Sequence, residues 1–191
     1  MKRVLAAGLA GGVVLYIWLA ISWMVLPWHN QTMRPLPLEN SVVPAMRQQM
    51  TETGVYFIPW IAAEDHGNPQ AFEQWSEEHR RGPVAFVAYQ AGGIEPMAPS
   101  VFAVAAAGDL LIALLTAIVI WTARQSARGY LQRVGIAFAI GLIVALFADG
   151  AYWNWMHFPT DHSLVMGAER VVGMTLVGLV AGAIIRPDPA P

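Results

Sequence analysis

The sequence predicts a membrane all-α protein: a four-transmembrane-helix bundle with a small α/β extracytoplasmic cap between helices 1 and 2. Three observations predict it. Four apolar runs, 4–26, 99–121, 130–148 and 163–185, each approach the ~20 residues a helix needs to cross the hydrocarbon core. Only 13% of the 191 residues are charged and the mean hydropathy is +0.46, whereas soluble domains carry about 25% charged residues. The segment 28–98, of about 70 residues, is too long for a simple connector and carries its own cap and turn signals.

The first run begins Met1-Lys2-Arg3 and resembles a signal peptide only superficially. The apolar part of a signal peptide is usually ~7–15 residues long and ends in small residues. This run is longer and ends in Trp23-Met24-Val25-Leu26-Pro27-Trp28, whose rings suit the headgroup level. Residues 1–27 are therefore expected to remain as an uncleaved transmembrane helix.

Residues 28–98 are expected to form the cap, in the order α–β–α–β. Ser41 can cap a helix through Met46 and Met50, with Pro44 in its first turn and Gly54 as its stop. Val55-Tyr56-Phe57-Ile58 reads as a strand ended by Pro59. Asn68-Pro69 is a cap followed by a first-turn proline, and Phe72, Trp75 and His79 share one helix face. Gly82 ends that helix, and residues 83–89 read as a second strand. The strands pair in either direction as far as the connection is concerned. Both are apolar on both faces, so helices, the mouth of the bundle or another protein must cover them. No linker separates cap from spans, so they are read as one unit.

Residues 99–191 supply transmembrane helices 2–4, with short loops and a C-terminal tail, 187–191, that is expected to be disordered. The link near 124–133 carries Arg124, Arg128 and Arg133. Arg186 follows the last run, and Lys2 and Arg3 precede the first. If every run crosses, these flanks share one side, and the positive-inside rule makes it the cytoplasm. Both termini are then cytoplasmic. The cap is periplasmic, acidic overall, and joined on its side by the turn 149–162. Trp23, Trp28, Trp153 and Trp155 fall at the outer boundary and Trp121 at the inner one, as anchors and packing groups.

Ionisable groups lie inside the runs. At 1.5 Å per residue, Asp109 is about 13 Å from the outer end of its helix, and Glu169 and Arg170 about 9–11 Å from theirs. Asp149 closes the third run on the same side. A charge in hydrocarbon costs ~2.5–3.5 kcal/mol on insertion scales, so these four groups should face inward and find partners. They are expected to form one outer-leaflet cluster. It is either a register-fixing ion pair, Asp109 or Asp149 with Arg170, or a site for a proton or small ligand. Arg170 can neutralise only one of the three carboxylates.

All five histidines, His29, His66, His79, His157 and His162, fall on the outer side. His29, His157, His162 and Asp161 have the chemistry of a zinc or copper site, and Met97 or Met156 could complete a copper(I) set. Their spacing matches no known ligand motif, and packing or interface roles explain them better. His79 reads as a packed residue. Gly8-x3-Gly12 and Gly178-x3-Gly182, and more weakly Ala103-x3-Ala107, allow close helix approach within the bundle or a homo-oligomer.

Other classes are excluded by composition or find no motif. A net charge of −2 gives no nucleic-acid footprint. The chain has no cysteine, so disulfides, thiolate catalysis and Cys-based metal centres are excluded. No Gly-x-Ser-x-Gly, phosphate-binding glycine loop or His-Glu-x-x-His occurs. Paired interrupted helices of an inverted-repeat transporter are also missing.

At 26–30 (LPWHN), 54–59 (GVYFIP), 80–84 (RRGPV) and 153–159 (WNWMHFP), the chain resembles small four-span inner-membrane proteins of Gram-negative bacteria. The resemblance extends over the whole length. It implies the four-span layout and the host, and carries no activity, cofactor or site residue. The sequence thus predicts a non-enzymatic accessory or interaction protein of the bacterial inner membrane. Its partners are the lipid bilayer and a membrane or periplasmic protein, and no cofactor is predicted. The alternatives are proton or small-ligand binding or transport at Asp109, Asp149, Glu169 and Arg170, and a metal or haem site at the outer turn.

Overall fold

The computed structural model describes residues 1–188. In chain order the helices are α1 (Lys2–Met24), α2 (Trp28–Thr32), α3 (Glu39–Gln49), α4 (Pro69–Arg81), α5 (Pro99–Ala123), α6 (Tyr130–Val144), α7 (Gly150–Trp155) and α8 (Thr160–Ile184). A π-helical turn, Ala145–Asp149, joins α6 to α7, so the helix runs on without a break from Tyr130 to Trp155. The strands are β1 (Gly54–Ile58) and β2 (Ala85–Tyr89). Four helices, α1, α5, α6–α7 and α8, are long and apolar enough to cross a membrane. This is a multi-pass membrane protein.

The chain divides into two compact units. The first comprises Met1–Arg34, Pro96–Trp153 and Pro159–Pro191. In it α1 packs on α5 and α8, and α6 on α8. Small residues set these contacts. A Cβ on Gly12 would lie 2.8 Å from the Leu110 Cα, and one on Gly8 3.0 Å from the Leu114 Cα, so the backbones of α1 and α5 approach closely at both glycines. On the other face, a Cβ on Gly178 would meet the Ala137 Cβ at 2.7 Å. Both glycine motifs thus serve contacts within the chain, whereas Ala103 and Ala107 are exposed. Ala7, Ala117, Ile120, Ala137, Ala181 and Ile185 form the wholly buried apolar core. Leu5, Leu9, Val13, Ile17 and Ile21, spaced four apart on α1, are 41–62% exposed. A stripe of this kind suits acyl chains and not water.

The third apolar helix outruns its expected end by seven residues. Gly150 does not stop it, because the π turn takes up one extra residue per turn and carries the chain on in helical conformation. The outer turn shrinks to the residues between Trp155 and Thr160. Arg133, expected only as a topology flank, is 5% exposed. Its guanidinium donates to the carbonyls of Gly182, Ala127 and Arg128, satisfying chain ends that would otherwise lack partners. Of the tail expected to be disordered, 189–191 lie outside the described residues. Asp188 is held: its carboxylate accepts from Arg124 and Gln125 at 3.0 and 2.7 Å.

The second unit comprises Pro35–Glu95 with Asn154–Phe158. It has the order α3–β1–α4–β2, and β1 pairs antiparallel with β2, Gly54 opposite Tyr89 and Ile58 opposite Ala85. Asn68 caps α4 as expected, its side chain accepting from the amides of Gln70 and Ala71. Gly82 ends that helix with φ +67°. Helix α3 begins at Glu39, ahead of Ser41, and ends at Gln49, short of Gly54. Ser41 makes no side-chain cap, and Gly54 opens β1 instead.

Candidate functional site

Within the first unit, Ser22 lies in the last turn of α1, and a short turn leads into α2, which brings His29 back beside it. Glu169, midway along α8, meets both. Ser22, His29 and Glu169 are 0%, 1% and 2% exposed. The Ser22 hydroxyl donates to Glu169 Oε1 in a short hydrogen bond. His29 Nε2 lies 3.0 Å from that same oxygen and 3.0 Å from Ser22 Oγ. Since Ser22 gives its proton to the carboxylate, Nε2 carries the hydrogen and shares it between the two oxygens. One carboxylate oxygen therefore receives two donors in the interior of a membrane protein.

Three tryptophans enclose this group. Trp28 Nε1 donates to Ser22 Oγ at 3.1 Å and to the Ser22 carbonyl at 3.2 Å. Trp18 Nε1 donates to the Glu169 carbonyl at 3.0 Å. Gly173 makes room for that indole, because a Cβ there would meet Trp18 Cδ1 at 3.0 Å. The Trp23 ring stacks on the His29 ring, centroids 3.9 Å apart and planes within 6°. His29 Nδ1 is buried and has no hydrogen-bond partner. Thr32 donates to the His29 carbonyl at 3.0 Å and sits 3.1 Å from His162 Nδ1. His29 and His162 are thus joined through one hydroxyl.

The arrangement is not a nucleophilic triad. In a serine hydrolase the serine and the carboxylate engage opposite ring nitrogens, so that the imidazole takes the serine's proton while the carboxylate orients and stabilises the ring. Here both meet Nε2, and the hydroxyl has no access to solvent. What the group can do is hold a proton or a charge at a fixed depth with full hydrogen bonding on one carboxylate oxygen.

The four intramembrane charges fall into three arrangements. Arg170 pairs with Asp149 through two bonds, Nε to Oδ2 at 2.6 Å and Nη2 to Oδ1 at 2.9 Å. Glu169 belongs to the Ser22–His29 group. Asp109, on α5, is 6% exposed and its Oδ2 has no partner. It forms no ion pair with Arg170. Adjacent residues on a helix point about 100° apart, which is why Glu169 and Arg170 serve different neighbours, α1–α2 and the π turn. The π turn places Asp149 at its last residue, and such turns recur at functional positions.

Of the expected outer-turn set, Asp161 accepts from the His162 amide at 2.9 Å in the first turn of α8. His157 belongs to the second unit, with φ +56°, and its Nε2 is 3.3 Å from His79 Nε2. His79 is packed between Phe57 and Trp75. Among the described residues no three His, Asp or Glu groups gather to hold a metal ion. His29, His157, Asp161 and His162 are not brought together as a ligand set.

Sequence reasoning passed over Ser22, Trp18 and Thr32. The available signal was Ser22 itself, a polar residue inside an apolar run and seven residues before His29. Compared with protein-family models, curated proteins and solved structures, the chain matches none.

Proposed function

We propose that this is a four-span protein of the bacterial inner membrane that binds a proton or small ligand at its outer-half polar core. The basic flanks at Lys2, Arg3, Arg124, Arg128 and Arg186 support cytoplasmic termini. The second unit is then periplasmic. The observation that carries the reading is Glu169, a carboxylate buried in a transmembrane helix that takes both Ser22 and His29 on one oxygen. Ionisable groups at membrane depth are costly to keep, and they mark ion and substrate sites more often than they mark scaffolding.

The Trp23–His29 stack supplies the assay. An imidazolium quenches an indole that it touches, so proton binding at His29 lowers Trp23 emission. For the whole chain in lipid nanodiscs, the difference in emission between wild type and His29→Gln is expected to show one step with pH. A flat difference curve through the range where imidazoles titrate, in protein that keeps its helical circular dichroism, would eliminate proton binding here.

A second reading, an accessory protein whose cap docks a membrane or periplasmic partner, is favoured by one observation. Val55, Ile58, Trp60 and Phe72 of the second unit are 44–73% exposed. A two-stranded sheet also leaves an unpaired edge on each strand. Photo-crosslinkers placed at Val55 and Trp60 in native membranes are expected to capture one discrete partner. Only lipid adducts would count against this reading.

A further inference from the structure

Asp109 closes the inner end of a cleft between α1 and α5. The cleft has a volume of about 480 Å³ and walls that include Tyr16, Trp23, Met97 and Phe102. That size falls within the range of ordinary small-ligand sites, about 300–1,000 Å³. The lining is almost wholly apolar, and the single acid is Asp109. Its side chain is buried with Oδ2 unpartnered, and Arg170, the basic residue inside the fourth apolar run, is already committed to both oxygens of Asp149. Among the described residues Asp109 forms no ion pair.

The complement of such a site is a positive charge on an apolar body. The apolar part fills the cleft, the aromatic faces of Trp23, Phe102 and Tyr16 attract the cation, and the carboxylate neutralises it. Depth argues for a free molecule over a lipid headgroup. Asp109 lies ten residues beyond Pro99, about 15 Å along the helix from its N-terminal end, and an amine tethered at the headgroup level does not reach it without distortion.

We propose that the α1–α5 cleft is a binding site for lipophilic ammonium or phosphonium cations, with Asp109 as the counter-ion. The proposal shares with the preceding section only the reading of the chain as a membrane ligand binder. It rests on a different carboxylate and can stand or fall separately.

The test uses the full chain in phosphatidylcholine nanodiscs and tetraphenylphosphonium as the probe, followed by equilibrium dialysis. Saturable binding is expected, weakened at least tenfold in Asp109→Asn. It is also expected to weaken in Ala105→Trp, which fills the cleft from its lining while leaving the acid in place. An uncharged triphenyl analogue is expected to compete poorly. Nanodiscs that include phosphatidylethanolamine separate the two sources of ammonium. Unchanged probe affinity confirms a free cation, and strong competition by the aminolipid overturns that assignment of source. No saturable binding to folded wild type, or equal binding by Asp109→Asn, overturns the site. The His29 fluorescence step is read without any probe, so its failure and this one are distinguishable.

Discussion

Replacing Glu169 by leucine strands a buried donor. The Ser22 hydroxyl and His29 Nε2–H share Glu169 Oε1; without it Nε2–H keeps Ser22 Oγ, whereas the hydroxyl hydrogen loses its acceptor at 0% exposure, where water cannot substitute. An unsatisfied buried donor costs about 1–3 kcal/mol, and the lost bond ends on a carboxylate, so Glu169→Leu is expected to lose about 3 kcal/mol, the upper end of that range. Glu169→Gln keeps an oxygen in the same place and forfeits only the charge assistance, a loss of about 1–2 kcal/mol. The double variant His29→Leu/Glu169→Leu removes both ends of one hydrogen bond that each single variant already breaks. It should therefore be less damaged than the sum of its singles, by about 1–3 kcal/mol. The assay is reversible unfolding in mixed micelles by added dodecyl sulfate, followed by far-ultraviolet circular dichroism. Tryptophan emission is unsuitable because Trp23 and Trp28 touch the site. Equal losses for Gln and Leu, or strict additivity in the double variant, would refute the hydrogen-bond assignment.

Further outcomes are expected at other positions. Gly178→Ala places a Cβ 2.7 Å from the Ala137 Cβ and 3.1 Å from the Val134 carbonyl, so α6 and α8 must part; overpacking of this kind costs about 1–3 kcal/mol. Gly135→Ala meets nothing within 4 Å and should be neutral or mildly stabilising, both read by the same unfolding assay. Asp149→Asn breaks a bidentate pair whose arginine side chain is 32% exposed, so a loss nearer 2 kcal/mol than the 3–5 kcal/mol of a fully buried pair is expected. Pairing Arg170→Met with Asp149→Leu should recover most of it. Asn68→Ala removes the cap of α4 and should cost about 1 kcal/mol, seen as faster amide exchange at Gln70 and Ala71.

The apolar helices were legible because length and hydropathy are local properties. The sequence places them at 4–26, 99–121, 130–148 and 163–185, within three residues of every observed boundary but one. The exception, the end of the third helix, depends on the π turn at Ala145–Asp149, for which Phe147, Ala148 and Asp149 carry no local signal. The capped start of α4 was legible for the same local reason, through Asn68-Pro69. The site was legible only in its ingredients. Depth along a helix follows from counting, and it put Asp109, Glu169 and Arg170 at similar levels. Rotation about the axis decides which neighbour each one meets, and that depends on packing. The α1–α8 contact made through Gly173 and Trp18 turns Glu169 toward Ser22, and no residue count reveals it. His29 follows the first span by a few residues, but its return to Ser22 needs α2, a five-residue helix without a hydrophobic pattern.

Trp23 belongs to two places at once. Its ring lies flat on the His29 ring, and the same side chain walls the cleft that Asp109 closes. On the two proposals above, a cation in the cleft and a proton on His29 would both act on one indole. Linkage makes such a relation mutual: whatever factor the proton imposes on cation affinity, the cation imposes on the proton. Both are positive, so the mutual effect is antagonistic, and a single side chain would let each displace the other without any helix moving.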